Sequence, residues 1–273
     1  MPTVLNPNST DAGRFARPGA CGVKLERVSK TFGEPGVNLI HAVSDLSVDL
    51  APGSFTSFVG PSGCGKSTVI RIIAGLELPT TGTRTLLPTE PNQTPRLAYV
   101  FQDANLLPWR SVLGNVELPL LLQHVDKRQR QEQALAAIER VGLSQFIGKY
   151  PMQLSGGMRM RVSLARAMVS QPDVLLLDEP FAALDEITRQ QLDDQLLNLW
   201  DGSKMTVIFV THSIAEAAYL SERVFVFSAR PGRVVLDHTL DLPGRRAASL
   251  RVEPAFARES GVLFNALQQG FKG

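Results

Sequence analysis

The sequence predicts an α/β fold with a mainly parallel sheet, and three observations carry that expectation. Residues 174–177, 205–210 and 224–227 are short, almost wholly apolar runs, the pattern of strands covered on both faces and not of strands with one wet face. Stretches with apolar residues at helical spacing separate them. A glycine-rich loop joins a further strand-like run directly to a helical one. The 273 residues allow one large domain or two small ones at about 150 residues each. A chain of this size buries about three quarters of its extended surface, so its core needs neither metal nor disulfide.

Residues 1–22 read as a loose tail: Asn6, Pro7, Asn8, Ser9, Thr10 and Asp11 are polar or turn-forming, and the absence of an apolar stretch argues against a secretory signal. Strands are expected at 23–28, 43–50 and 54–59, where aliphatic and aromatic residues are punctuated by Gly or Pro. Val69, Ile70, Ile72, Ile73 and Leu76 then fall at helical spacing. Residues 96–101 read as a strand, and the pattern from there to about Arg166 is mostly helical, with Leu135, Ile138 and Val141 on one apolar face. The α/β alternation returns with strand 174–177, a helix burying Ile187, Leu192, Leu196 and Trp200, strand 205–210, helix 214–220 and strand 224–227. From Arg230 a turn at Pro231 and Gly232, a short β pair and an amphipathic segment through Leu263 and Leu267 form an appendage. The expected division is a tail at 1–22, a domain at 23–229 with a helical insert at about 103–166, and an extension at 230–273.

A composition of 44% hydrophobic and 20% charged residues excludes disordered and fibrous classes. A net charge of +2 with 7% aromatic residues gives no basic, aromatic-laced stripe for nucleic acid. Cys21 and Cys64 cannot make a disulfide framework, which fits a reducing cytosol. The apolar runs fall far short of the roughly 18 residues that cross a bilayer.

The loop Gly60, Pro61, Ser62, Gly63, Cys64, Gly65, Lys66, Ser67, Thr68 fits G-x-x-x-x-G-K-[ST]. Its glycines let backbone N–H groups turn inward around phosphate oxygens, and the following helix presents its positive end to the same charge. Lys66 suits the β- and γ-phosphates, and the Ser67 hydroxyl suits Mg²⁺, which takes a few protein oxygens plus phosphate and water. The loop alone leaves kinase, GTPase, helicase and transporter ATPase open. Strand 174–177 ends at Asp178 and Glu179, at the edge where open α/β sheets bind ligands. Asp178 suits a hold on Mg²⁺, and Glu179 a general base acting on water. His212, after strand 205–210, is placed to reach the γ-phosphate.

At Leu154, Ser155, Gly156, Gly157, Met158 and Arg159 the sequence resembles the signature of ATP-binding-cassette (ABC) ATPases. The resemblance runs from Val23 to Phe227 and takes in Phe32, the phosphate loop, Gln102, the signature, Asp178 with Glu179, Asp185 and His212 in order. It implies a P-loop NTPase core with an antiparallel β subdomain and a helical insert. It also implies that Phe32 stacks on adenine, that Gln102 touches Mg²⁺ and takes part in catalysis with Glu179, His212 and Lys66, and that Asp185 lies at a dimer interface. In such a dimer Ser155, Gly156 and Gly157 close on the ATP held by the other subunit. Met158 and Met160 stand where Gln is frequent, and Met160 is expected beside the dimer interface, so that Met160→Gln would not reduce hydrolysis. Ser213 stands where Asp is frequent and is expected to cap the helix from Ile214.

Finer similarity, at Phe101 to Asp103, Leu106 to Val112, Asn115 with Val116, Phe181 to Arg189 and Arg230 to Arg233, resembles the nitrate, sulfonate and taurine importer group. It implies a homodimer on the cytoplasmic face of a bacterial inner membrane, under two permease subunits fed by a periplasmic binding protein, with no nucleic-acid partner. Leu107, Pro108 and Trp109 then line the groove for a permease helix, the alternative being that Trp109 anchors the core. A soluble P-loop ATPase acting on nucleic acid is the rival class, and a regulatory nucleotide binder without activity the third.

Overall fold

The computed structural model describes residues 20–33, 38–90, 94–201, 203, 205–244 and 246–272. The chain begins with β1 (Cys21–Phe32) and β2 (Ile40–Leu50), which pair antiparallel. β3 (Phe55–Val59) leads into α1 (Lys66–Ala74), and β4 (Thr81–Pro88) returns to the other edge of β1. β5 (Leu97–Val100) precedes four helices: α2 (Val112–Val116), α3 (Leu118–Leu122), α4 (Lys127–Arg140) and α5 (Gly156–Met168). Then come β6 (Val174–Asp178), α6 (Glu186–Asp201), β7 (Thr206–Thr211), α7 (Ile214–Leu220), β8 (Arg223–Phe227), β9 (Val234–Thr239) and α8 (Pro254–Lys272).

The strands form an antiparallel sheet β2-β1-β4 and a six-stranded sheet β5-β6-β7-β3-β8-β9, parallel except at β9. The central strands are apolar throughout because each feeds two cores with alternate residues. Leu175, Leu177, Val207 and Phe209 pack on the side of α5, α6 and α7, while Val174, Leu176, Ile208 and Val210 pack on the side of α1 and the antiparallel sheet. Each fully buried side chain of this kind contributes about 1.5–3 kcal/mol. A third core holds α2, α4 and α5 together around Val116, Ile138, Leu154 and Val162. No helix among the described residues is long and apolar enough to cross a membrane.

Several expectations change. Of the expected tail, residues 1–19 lie outside the described residues, but Ala20 is buried and Cys21 opens β1, tied to Thr206 through its carbonyl. β4 was not expected: its sequence is polar and half-exposed, so it lacks the apolar run that marks a strand. Leu135 and Ile187 point outward, and Ala134 and Ala137 take the place of Leu135 beside Ile138. The appendage is no β pair. β9 adds alone to the edge of the main sheet, and Leu240, Leu250, Phe256 and Leu263 join its core.

Candidate functional site

Parallel pairing brings three strand ends together, with Val59 level with Thr211 and Asp178 level with Val210. The phosphate loop, Glu179 and His212 therefore leave the sheet at one edge. Gly65 has φ of +106°, and a Cβ there would lie 2.5 Å from the Ala42 carbonyl oxygen, so only glycine closes the loop onto α1. α1 carries no acidic residue in its own first turn, which leaves the helix N-terminus positive toward a phosphate.

Lys66 is only 3% exposed, and a buried ammonium needs partners. Its Nζ donates to the carbonyl oxygens of Gly60 (2.7 Å) and Pro61 (2.9 Å) and lies 3.8 Å from Glu179 Oε1. Ser67 Oγ donates to Asp178 Oδ1 at 2.7 Å, and Tyr99 Oη donates to Asp178 Oδ2 at 2.9 Å. Glu179 has a left-handed φ of +48°, its N–H donates to Val210 O at 2.9 Å, and its Oε2 lies 3.1 Å from His212 Nδ1. A cleft of about 310 Å³ is lined by Phe32, Gly63, Lys66, Ser67, Thr68 and Glu179, among others. Phe32 stands partly exposed at its mouth with Lys30 Nζ 4.9 Å from the ring centroid.

Gln102, Asp185 and the signature residues do not line this cleft. Gln102 is exposed just beyond β5, whose register with β6 sets it at the same sheet edge as Asp178. Asp185 accepts the Thr188 N–H at 2.9 Å and starts α6, and these backbone donors hold its carboxyl below the usual range. Ser155 caps α5, accepting from Met158 N at 3.2 Å, and Ser155 and Gly156 are exposed. Met160 departs from expectation. It is buried in the main core with Leu164 and Ala167 and does not face outward beside the signature. Ser213 caps α7, as expected. Trp109 is 72% exposed, which removes the core-anchor reading, and Leu107 beside it is only half-buried. A larger cavity of about 560 Å³, lined by Arg140, Arg161, Gln191 and Gln195, holds none of the motif residues and none of this chemistry.

Four contributors escaped sequence reasoning. Tyr99 braces Asp178, and burial together with that carboxylate pushes its phenol up. Buried Glu216 accepts from the Thr211 hydroxyl and thus fixes the turn around His212, burial raising its carboxyl. Asn115, fully buried, ties the Leu107–Ser111 turn by donating to Leu107, Arg110 and Ser111 carbonyls and accepting from Leu107 N. Arg230 reaches the phosphate loop from β8. Only Asn115 and Arg230 lay within stretches that stood out in the sequence.

Residues 43–182 match the family described as ABC transporter. The chain belongs to the ABC transporter family. The taurine import ATP-binding protein TauB of Rhizobium johnstonii is 43% identical over 242 residues, 86% of this chain and 92% of its own length. An uncharacterized ABC transporter ATP-binding protein of Methanocaldococcus jannaschii, MJ0412, is 46% identical over 214 residues, 78% of this chain and 79% of its own. The dimeric ATP-binding cassette MJ0796, solved in a post-hydrolysis state with ADP and Pi, shares 33% identity at a TM-score of 0.70, covering 81% of this chain and 100% of that one. An ABC cassette of this kind is an ATP-binding ATPase, and the donor set fits ATP with Mg²⁺. The glycine cradle would be filled by a Cβ at Gly65, and the paired Ser67 hydroxyl and Asp178 carboxylate supply the few hard oxygens that Mg²⁺ takes from protein. Among the described residues no group of three or more His, Cys, Asp or Glu could hold a metal ion.

Proposed function

We propose that this chain is the ATP-hydrolysing subunit of a bacterial ABC importer for a small solute such as nitrate, a sulfonate or taurine. It works as a homodimer on the cytoplasmic face of the inner membrane, coupled to two separate permease subunits and indirectly to a periplasmic binding protein. The observation that carries the catalytic part is the joint contact of Ser67 with Asp178 and of Glu179 with His212 around Lys66. Import as the purpose of hydrolysis is supported by the TauB relatives.

Lys66 leaves the loop carbonyls to neutralise the β- and γ-phosphates; Ser67, Asp178 and Gln102 would hold Mg²⁺, which would supply positive charge against the phosphates. Glu179 accepts a proton from the attacking water. His212, whose Nδ1 lies 3.1 Å from Glu179 Oε2, turns Nε2 to the γ-phosphate and so restrains both. Phe32 stacks on adenine. Ser155, Gly156 and Gly157 bring the N-terminus of α5 to the ATP of the second subunit, with Asp185 at the same interface. Two such sites close under two-fold symmetry, and their opening after hydrolysis moves the permeases.

Leu107, Pro108 and Trp109 take the permease helix, Trp109 being an exposed aromatic on a turn fixed by Asn115. Trp109→Ala in the reconstituted transporter should lower ATP-driven uptake by about ten-fold or more, as expected for a truncated aromatic hot spot, while the isolated subunit hydrolyses ATP at its normal rate. Equal loss of both activities would refute the coupling role.

A further inference from the structure

We propose that Arg230 is a positioning residue for nucleotide binding: it clamps the Gly63 carbonyl at the crest of the phosphate loop and so presets the loop's inward N–H groups. The inference rests on the ATP-binding reading above and adds a residue from the turn that follows β8, the strand paired in parallel with β3.

Arg230 Nε and Nη2 both donate to Gly63 O, at 3.1 and 3.0 Å. Gly63 has φ of +73°, in the left-handed region, so this peptide turns back at the crest. A peptide is a rigid trans plane, and its C=O and the next N–H point in opposite directions. Fixing the Gly63 carbonyl on Arg230 therefore fixes the Cys64 N–H on the opposite side of the peptide, where Cys64 N lies 3.4 Å from Pro61 O, a long bond that a phosphate oxygen could replace. Arg230 also lines the cleft with Lys66, Ser67 and Glu179.

The perch of Arg230 is itself built. Ser228 N donates to Arg233 O (2.9 Å), Gly232 N to Ala42 O (3.0 Å), Ser44 N to Gly232 O (3.1 Å) and Ala229 N to Gly270 O near the end of α8 (3.1 Å). A Cβ on Gly232 would stand 2.1 Å from the Cys64 carbonyl oxygen, so the 228–233 turn and the phosphate loop are in backbone contact. The turn thus ties the loop to β2 on one side and to α8 on the other. Arg suits the task because its planar fork makes two bonds to one oxygen and stays charged, where Lys offers a single point donor.

The test is equilibrium titration of the full chain with a fluorescent ADP analogue, alongside steady-state ATP hydrolysis and thermal melting. Arg230→Ala should weaken nucleotide binding about five-fold, the effect of losing one ordinary net hydrogen bond of about 1 kcal/mol. It should raise KM for ATP to match, leaving kcat within about two-fold and the melting temperature unchanged. Arg230→Lys keeps the charge and loses the fork, and should recover less than half of the lost affinity. Arg233→Ala, the neighbouring arginine of the same turn, should bind like the unmodified chain. Arg230→Ala with unchanged affinity overturns the proposal, as does Arg230→Lys with full affinity, which would make the effect one of charge alone. A fall in kcat equal to the fall in affinity, or a lowered melting temperature with both, also overturns it. If the unmodified chain itself binds no analogue, the ATP-binding reading has failed and not this inference.

Discussion

The phosphate-loop edge of the sheet and the signature end of α5 both offer helix N-termini to phosphate, yet they are built in opposite ways. Around the loop every reactive group already has a partner in its own chain: Lys66 two carbonyls and Glu179, Ser67 Asp178, and Glu179 His212. At α5 Ser155 accepts from Met158 N and Arg159 donates to Leu154 O at 2.7 Å, Ser155 and Gly156 stay exposed, and no acid occupies the first turn. The first region is defined by the chain that carries it, whereas the second, under the function proposed above, is completed by a second copy. α6 joins the two. It starts just after Asp185, its Thr188 abuts Gly157, and Arg189 donates to Leu184 O at 2.9 Å while facing Glu216 at 3.8 Å.

The comparison breaks most visibly at Glu179. Glu179→Gln keeps the size of the side chain and removes its basicity, so turnover should fall about 10²- to 10⁴-fold. ATP still binds, because Lys66 and the loop are untouched, and the chain should run as an ATP-bound dimer on size exclusion. A variant that stays monomeric at saturating ATP would mean that the exposed end of α5 does not serve a second copy. Wild-type turnover would remove Glu179 from the chemistry.

Two substitutions sharpen the signature half. Met160→Gln places an amide in the apolar core around Leu164 and Ala167, and should cost about 2 kcal/mol in denaturant unfolding. The expectation that hydrolysis is not reduced assumed a Met160 beside the interface, whereas this cost follows from its burial; unchanged stability would return Met160 to the surface. Gly157→Ala is milder: the new Cβ would stand 2.7 Å from Thr188 Cγ2, and overpacking less the gain in helix propensity leaves a loss of about 1–2 kcal/mol. Adding Thr188→Ser removes the offending methyl and should restore most of it. Failure of the double variant to recover would show that α5 and α6 are not in contact through this pair.

What the sequence made legible follows from this contrast. Strands buried on both faces leave unbroken apolar runs, so β3, β6 and β7 and the residues at their ends could be placed before any coordinates. β4 could not, because an antiparallel edge strand of Thr, Gly and Arg has no such run. Motif spacing found Lys66, Asp178, Glu179 and His212, but not what braces them. Tyr99 inside a strand reads only as a good β former, and an arginine bonded to a backbone carbonyl, as Arg230 is, leaves no periodic trace. Met160 was misjudged because the signature resemblance carries no packing direction, and its position on α5 faces the core with Leu164 and Ala167.

The smallest expected effect tests whether α6 couples the two regions through its buried charges. Asp193 is 3% exposed and accepts from Arg251, which stacks on Tyr219 at 3.4 Å. Burial, aided by the nearby Glu216 carboxylate and opposed by Arg251, pushes its carboxyl up to about 8. Between pH 4 and 8 the folded chain therefore holds a proton that the unfolded chain has lost, and this contribution to stability declines as pH rises through that window. Asp193→Asn cannot titrate and lacks that decline. The melting temperature of the variant relative to the unmodified chain should thus be higher at pH 8.5 than at pH 5, by about 2–4 °C for each kcal/mol involved. An equal difference at both pH values would show that Asp193 ionises freely in the fold, and that α6 packs on the C-terminal segment without a buried charge to relieve.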